Sequence, residues 1–439
     1  MSNSVIDIPN EAGWPERTLD RMCSTISRGT APVYVEHSDV LAIGQRCVTT
    51  LGFDPGFARP HSSRAMGNVL KPEGGDVLLN STGTGTIGRS CVFDSSKDFI
   101  VDGHVTLLRS APGQFRGEWL DAVLRSPWAQ NHLERFCYAG STNQIELSRT
   151  ELAATSLPVP SIDEQNEFVR IFSTLDCAIR KTEASVEKLK QVKQGLLHDL
   201  LTRGLDANGE LRPGHDVAPE LYQESPLGWV PKEWEVQPLG DALLGIDAGW
   251  SPSCPEEPPR AGEWGVLKVS AVSGGVFQPL ESKRLPNGLR PVPSIEVRPG
   301  DVILVRANGV ADLVATTVYV EATPKGLMLS DKTLRLKPNP SKLVSRYLAA
   351  LMHHSAIRKQ IGGVLNGSSG QKNISQSQIE DLLVAIPPVS EQRASESLIR
   401  EAERRVGSEE VTLSKLIATK VGLMDDLLTG RVRVTRLLA

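Results

Sequence analysis

Between residues 164 and 202 apolar side chains recur on two alternating tracks. One runs Phe168, Leu175, Thr182, Leu189 and Leu196, the other Phe172, Ile179, Val186, Lys193 and Leu200, and eight of these ten positions are apolar. A second stretch, 391–429, repeats the pattern with Ser395, Ala402, Glu409, Leu416 and Leu423 against Ile399, Val406, Leu413, Lys420 and Leu427, seven of ten apolar. A 3.5-residue apolar period held over five heptads predicts a coiled-coil seam, and a helix of this length spans roughly 60 Å. Polar residues break both seams at matching places, Thr182/Glu409 and Lys193/Lys420, where they would fix register. Each helix follows a Pro-containing apolar segment, LPVPSIDEQ at 157–165 and AIPPVSEQ at 385–392. The prolines end an extended stretch, and Asp163 or Ser390 is expected to cap the helix. Two such helices in one chain are expected to pair antiparallel; the alternative is that each packs separately on its own domain.

The likeness of the helices is part of a wider duplication. At a shift of 227, residues 164–202 align on 391–429 without a gap and twelve of 39 pairs are identical, among them Glu164/Glu391, Gln165/Gln392 and Lys193/Lys420. Upstream, Trp14 and Leu19 match Trp234 and Leu239, Gly29-Thr-Ala-Pro32 matches Gly249-Trp-Ser-Pro252, and Gly75–Leu79 matches Gly300–Leu304. The polar loops GSTNQIELS (140–148) and SSGQKNIS (368–375) correspond in turn. Drift of the shift implies small loop insertions in a fold that carries two divergent surfaces.

Within each copy, β-branched runs such as DVLLNS, HVTLLR, DVILVRA and KTLRLK, bounded by Gly, Pro, Asn and Asp, read as strands. Helical stretches follow at 117–136 and 345–361. The Gly/Pro/acid-rich connector 204–231 reads as exposed. The expected fold is α+β: two mixed α/β domains joined by two long antiparallel coiled-coil helices with internal pseudo-twofold symmetry. The boundaries read as a first domain over 1–160, a helix over 161–204, connector and second domain over 205–388, a helix over 389–430 and a tail over 431–439.

Composition narrows function mostly by exclusion. The 439 residues carry 48 Lys+Arg against 52 Asp+Glu, a net charge of −4, so no basic total advertises nucleic acid, although local field matters more than the sum. No apolar run reaches membrane-spanning length and the N-terminus has no secretory pattern, so a cytoplasmic protein is expected. Cys23, Cys47, Cys91, Cys137, Cys177 and Cys254 are widely spaced, which predicts reduced thiols rather than disulfides or a zinc site. No metal and no cofactor is expected on this chain. Gly83-Thr-Gly85-Thr-Ile-Gly88 satisfies G-x-G-x-x-G, but a strand-like run follows it where a nucleotide-binding helix should open. A glycine-rich turn between strands is expected instead. Phosphate-loop and adenine-methyltransferase signatures are absent from the sequence, so the chain is expected not to be an enzyme.

Two like modules on two like helices form a pseudo-twofold object, and duplex DNA has matching local symmetry. Unlike modules would read unlike half-sites, giving an asymmetric bipartite target. The run SPLGWVPKEWEVQPLGD (225–241), the G-x-x-P after it, GDVLL…GTIGR, and P-x-P…EQ heading a long helix that ends DLLT together resemble the specificity subunits of type I restriction-modification systems (the HsdS family) across nearly the whole chain. The first copy departs from the family pattern in starting GWPERTLD, and its GSTNQ lacks the Lys-Asn-Ile found at 372–374. The resemblance implies a non-catalytic subunit that selects double-stranded DNA and binds two methyltransferase (modification) subunits. Motor-nuclease (restriction) subunits would join that core, with S-adenosylmethionine, ATP and Mg on the partners. A protein-binding adaptor of a defence system, using the duplicated fold without sequence-specific DNA contact, is the competing reading.

Candidate DNA contacts are donor-bearing loop residues, since Asn and Gln pair with adenine, Arg with guanine, and Ser, Thr and Lys with phosphate. In the first module these are Thr30, Gln45, Asn80, Ser81, Thr84, Thr86, Arg89, His104, Ser141, Thr142, Asn143 and Gln144. In the second they are Trp250, Ser251, Lys268, Ser270, Arg306, Asn308, Lys332, Ser368, Ser369, Gln371, Lys372 and Asn373. Arg306 and Gln144 lead for base contact. Apolar residues outside the seam, Val169, Ile171, Val192, Leu197 and Leu201, are candidates for binding partner helices; packing on the chain's own domains is the alternative. The basic residues Arg180, Lys181, Lys188, Lys190 and Lys193 read as a solvated flank of the coil.

Overall fold

The computed structural model describes residues 6–140, 145–367 and 371–434. The long helices run Ile162–Thr202 and Val389–Leu428. The chain divides into two compact units, and the division cuts both helices. Unit 1 combines the residues up to Ala184 with those from Val411 onward, and unit 2 is the continuous stretch Ser185–Glu410. Each unit therefore owns half of each helix.

The units repeat one topology. Unit 1 contains strands β1 (Cys23–Arg28), β2 (Val77–Asn80), β3 (Ser90–Val92) and β4 (Val105–Ser110); unit 2 contains β5 (Leu243–Ala248), β6 (Val302–Val305), β7 (Thr317–Tyr319) and β8 (Thr333–Pro338). The antiparallel sheets are ordered β1-β4-β2-β3 and β5-β8-β6-β7. Register is kept: Val77 opposes Leu108 and Val92, as Val302 opposes Leu336 and Tyr319. A smaller mixed sheet recurs as well. Leu41–Ile43 pairs antiparallel with Arg59–Pro60 and parallel with Phe99–Val101. Gly265–Leu267 pairs likewise with Ser282–Arg284 and Leu327–Met328.

The G-x-x-P repeat has a steric cause. A Cβ on Gly29 would strike the backbone of Val101 and Asp102, and one on Gly249 the backbone of Leu329 and Ser330. Each glycine lets the chain leave its strand flush against the end of the neighbouring sheet. Beneath the sheets, Trp119 in unit 1 and Tyr347 in unit 2 are fully buried core side chains.

The Glu-Gln pair that heads each helix is an anchor. Gln165 accepts from Arg116 N (2.8 Å) and donates to Pro160 O (3.0 Å); Gln392 accepts from Val344 N (2.8 Å) and donates to Pro387 O (2.8 Å). Glu164 accepts from Trp14 Nε1 (3.2 Å) and Arg433 Nε (2.8 Å). Glu391 accepts from Trp234 Nε1 (3.1 Å) and from both Arg212 nitrogens at 2.6 and 2.9 Å. The repeated Trp and Glu are thus one buried latch, closed in each unit by an arginine from the segment that follows a long helix. The connector 204–231 is accordingly less exposed than its composition implies: Leu205, Arg212, Tyr222 and Val230 are buried. The capping expectation also changes. Ser161 caps the first helix through Glu164 N (3.3 Å), two residues before Asp163, while Ser390 lies inside the first turn of a helix that begins at Val389.

In unit 1, Phe168 and Phe172, early in the first helix, share a core with Leu427, late in the second, and Lys420 pairs with Asp176. In unit 2, Leu200 clusters with Ile399, and Lys193 and Lys190 pair with Glu403 (3.3 Å) and Glu410 (2.7 Å). In both units the helix segments therefore run antiparallel. The two polar seam residues at matching places, Lys193 and Lys420, find acids at matching places.

Candidate nucleic-acid interface

In unit 1 the glycine-rich segment is a turn between β2 and β3, with Gly83, Gly85 and Gly88 all at positive φ (97°, 78° and 79°). No helix opens there, so the segment lacks the helix N-terminus on which a G-x-G-x-x-G dinucleotide site holds pyrophosphate. The turn leans on a polar cluster. The Thr82 hydroxyl accepts from Gln45 Nε2 and lies 2.8 Å from His104 Nδ1. Thr86 Oγ1 bonds Gly83 O (3.2 Å), and Arg89 reaches Gly85 O (3.2 Å). Thr30 bridges to Asp102, whose carboxylate accepts from His104 N (3.0 Å) and the Tyr34 hydroxyl (3.0 Å). The second polar loop joins at its far end, where Thr82 bridges Glu146 and Leu147 N donates to Ser81 O (2.8 Å). Arg28 ties down that end through Glu146 (2.9 Å) and Leu147 O (2.7 Å).

Unit 2 brings the corresponding loops together as a short ladder. Ala307–Asn308 pairs antiparallel with Lys372–Asn373, Arg306 N donates to Lys332 O (2.8 Å), and Ile374 N donates to Arg306 O (3.0 Å). The side chains of Arg306, Lys332 and Gln371 are exposed, and those of Asn308, Lys372 and Asn373 are half-buried. Lys372 Nζ is bonded to Gly367 O (2.9 Å) and Asn308 Oδ1 accepts from Val310 N (3.0 Å). Ser251 hydrogen-bonds Asp331 beside this ladder.

Several candidates serve the fold instead. Asn80 and Ser81 are fully buried, because β2 continues beneath the turn. Asn80 Nδ2 donates to Gln45 O (3.1 Å) and Ser81 pairs with Thr106 (2.5 Å), so both hold the turn rather than face solvent. Trp250 packs with Trp264 and Cys254 against Val266 and Met328. Lys268 is bound to Glu256 (3.4 Å) and Ser270 to Glu281 (2.6 Å). Thr84 and His104 are exposed. Ser141, Thr142, Asn143, Gln144, Ser368 and Ser369 lie outside the described residues. Sequence reasoning missed Thr82, Arg28 and Tyr34, although Thr82 directly follows the selected Ser81.

The helix candidates divide in the same way. Leu201 is buried in the unit 2 core, Leu197 packs beside Leu200, and Val169 and Ile171 pack on the unit 1 core. These four are taken up by their own units. Val192 stays 57% exposed, as do Val411, Ile417 and Val421 on the second helix at 54%, 45% and 63%. Burial pushes the thiols of Cys23 and Cys91 up to about 12 and that of Cys47 to about 11, leaving them protonated and unreactive near neutrality. No helix among the described residues is long and apolar enough to cross a membrane.

Comparison with known proteins places this duplicated frame. The EcoEI type I restriction enzyme specificity subunit of Escherichia coli is 31% identical over 210 residues, which is 47% of this chain and 34% of that protein. The putative MjaX specificity subunit of Methanocaldococcus jannaschii is 23% identical over 364 residues, covering 82% of this chain and 79% of its own length. Among solved structures, the S subunit of a type I restriction-modification system from M. genitalium aligns over 97% of this chain and 99% of its own, with TM-score 0.54 and 12% identity, a likeness of fold. The family model for the type I restriction modification DNA specificity domain matches residues 66–191 and 295–400, one match in each copy and together more than half the chain. The protein belongs to the type I restriction-modification specificity family.

Proposed function

We propose that this chain is the non-catalytic specificity subunit of a type I restriction-modification complex in the cytoplasm. Each unit reads one half of a bipartite duplex sequence, and the paired helices carry two methyltransferase subunits. The carrying observation is that two units of identical strand order present different side chains at the same place, at paired polar loops beside the β2–β3 and β6–β7 ends. One frame with two unlike reading edges suits two unlike half-sites. The exposed Val192, Ile417 and Val421 supply apolar area for partner helices. S-adenosylmethionine, ATP and Mg belong to the partner subunits, as do the motor-nuclease activities where those subunits are present.

Methylome sequencing of cells carrying this chain with its methyltransferase should reveal a single interrupted motif that disappears when the chain is deleted. The purified chain alone should bind duplex DNA weakly and should not bind S-adenosylmethionine. A methylation pattern indifferent to deletion of the chain would refute the proposal in favour of an adaptor role.

A further inference from the structure

We propose that Arg59 is a specificity-determining residue of unit 1 that reads a guanine edge in the major groove, with Tyr34 and Asp102 as its positioning residues. The inference rests on the DNA-reading function proposed above. Arg59 is exposed, and its guanidinium lies over the Tyr34 ring, 3.7 Å from the centroid. It has no carboxylate partner among the described residues.

The ring beneath it is fixed. The Tyr34 hydroxyl donates to Asp102 Oδ2 (3.0 Å), and the buried Asp102 also accepts from His104 N (3.0 Å), at the edge of the Gln45–Thr82–His104 cluster. The segment carrying Tyr34 is pinned as well. Val35 N donates to Pro60 O (3.2 Å), Ser62 N to Val33 O (2.8 Å), and Val33 N to Nδ1 of the buried His61 (3.0 Å). With Nδ1 accepting the Val33 amide proton, the ring N–H lies on Nε2, where it meets Ala65 O at 3.1 Å.

Unit 2 supplies the contrast. By strand register Arg59 opposes Ala42, and the residue opposing the matching Val266 is Lys283. Lys283 is held by Glu256 at 2.6 Å. A cation already neutralised by an acid gains little from a phosphate or a base. A guanidinium without a carboxylate partner, held over a hydrogen-bonded ring, keeps donors for a ligand and has lost much of its rotamer freedom beforehand. Phosphate contact needs charge near the backbone and tolerates a loose side chain; bidentate recognition of guanine O6 and N7 needs an oriented fork.

The test is the methylome of cells expressing the full chain with its methyltransferase, carrying wild type, Arg59→Ala, Arg59→Lys or Tyr34→Phe. Arg59→Ala and Arg59→Lys should each relax one G·C position in one half of the motif, by on the order of ten- to a hundredfold in preference. The other half should stay intact, which reports a folded, assembled complex. Tyr34→Phe should relax the same position less. An unchanged motif in Arg59→Ala, or full restoration of preference in Arg59→Lys as a phosphate contact predicts, would overturn the assignment of Arg59. Absence of any interrupted motif in wild type would instead overturn the DNA-reading function itself, and this proposal with it.

Discussion

Unit 1 and unit 2 are built on one plan, yet each meets the same structural demand with different residues. Both need a base for the Trp–Glu latch, and unit 2 closes it with Arg212 while unit 1 uses Arg433. Both need a hydrogen bond to the carbonyl at the start of the third sheet strand. Arg125 supplies it to Ser90 O (3.0 Å) in unit 1, and His353 to Thr317 O (2.6 Å) in unit 2. Both carry a cation on the edge strand of the small mixed sheet: Arg59, with no carboxylate partner among the described residues, and Lys283, paired with Glu256. What is kept is backbone register and the buried Trp–Glu and Gln anchors; what varies is the side chain that meets each demand, inside the fold and on its surface. That is the division of labour a two-site reader requires.

The latch should separate the units most strongly. Arg212 is only 7% exposed and forks both oxygens of a 7% exposed Glu391. Arg212→Ala should cost about 3–5 kcal/mol, since it strands a buried carboxylate. Arg433 is 41% exposed and Glu164 keeps Trp14 Nε1 and Ser161 as donors, so water can take the place of the lost guanidinium and Arg433→Ala should cost about 1 kcal/mol. Urea titration followed by Trp fluorescence measures both, and equal costs would break the distinction drawn between the two arginines. Gly29→Ala and Gly249→Ala should instead behave alike. Each should lose about 1–3 kcal/mol or more by overpacking against backbone, visible as matching drops in melting temperature. A harmless alanine at either position would remove the steric reading of the G-x-x-P repeat.

Acid should also distinguish the units. Burial holds His353 and His354 below the ordinary histidine value of 6.5. A histidine kept neutral in the fold binds fewer protons than in the unfolded chain, so its contribution is present above 6.5 and is lost as pH falls below it. Unit 1 has Arg125 at the place of His353, and the helix Gly117–Arg125 that carries it contains no histidine. Hydrogen exchange at pH 7.5 and 5.5 should therefore show protection falling in 345–361 and holding in 117–125; equal loss would contradict this. The smallest effect belongs to the seam lysines. Lys193→Ala and Lys420→Ala remove half-exposed ion pairs and should each change stability by less than about 1 kcal/mol, measured by thermal melts.

Much of this frame was legible in the sequence. The heptad seams located the helices to within a residue or two, and the duplication located the sheets, because apolar period and glycine sterics act locally. The Trp and Glu of the latch were visible as repeats, but its arginines were not. Arg212 and Arg433 sit at different distances past Thr202 and Thr429, so no constant shift aligns them. The reading edge was half legible. Polar loop composition marked Gln45, His104, Arg306 and Lys372, but it could not tell that Asn80 and Ser81 continue a buried strand. Nor could it reveal the Tyr34–Arg59 stack, which forms between residues far apart in the chain. Apolar surplus on the helices misled for Val169, Ile171, Leu197 and Leu201, because each unit folds back onto its own helix halves.

The central claim is that the two units read separately on a common frame. Its most direct test replaces residues 1–160 with the corresponding module of another family member and sequences the methylome of cells carrying the chimera with the methyltransferase. One half of the interrupted motif should change while the other half is retained. A motif unchanged by the exchange, or altered in both halves, would contradict the account.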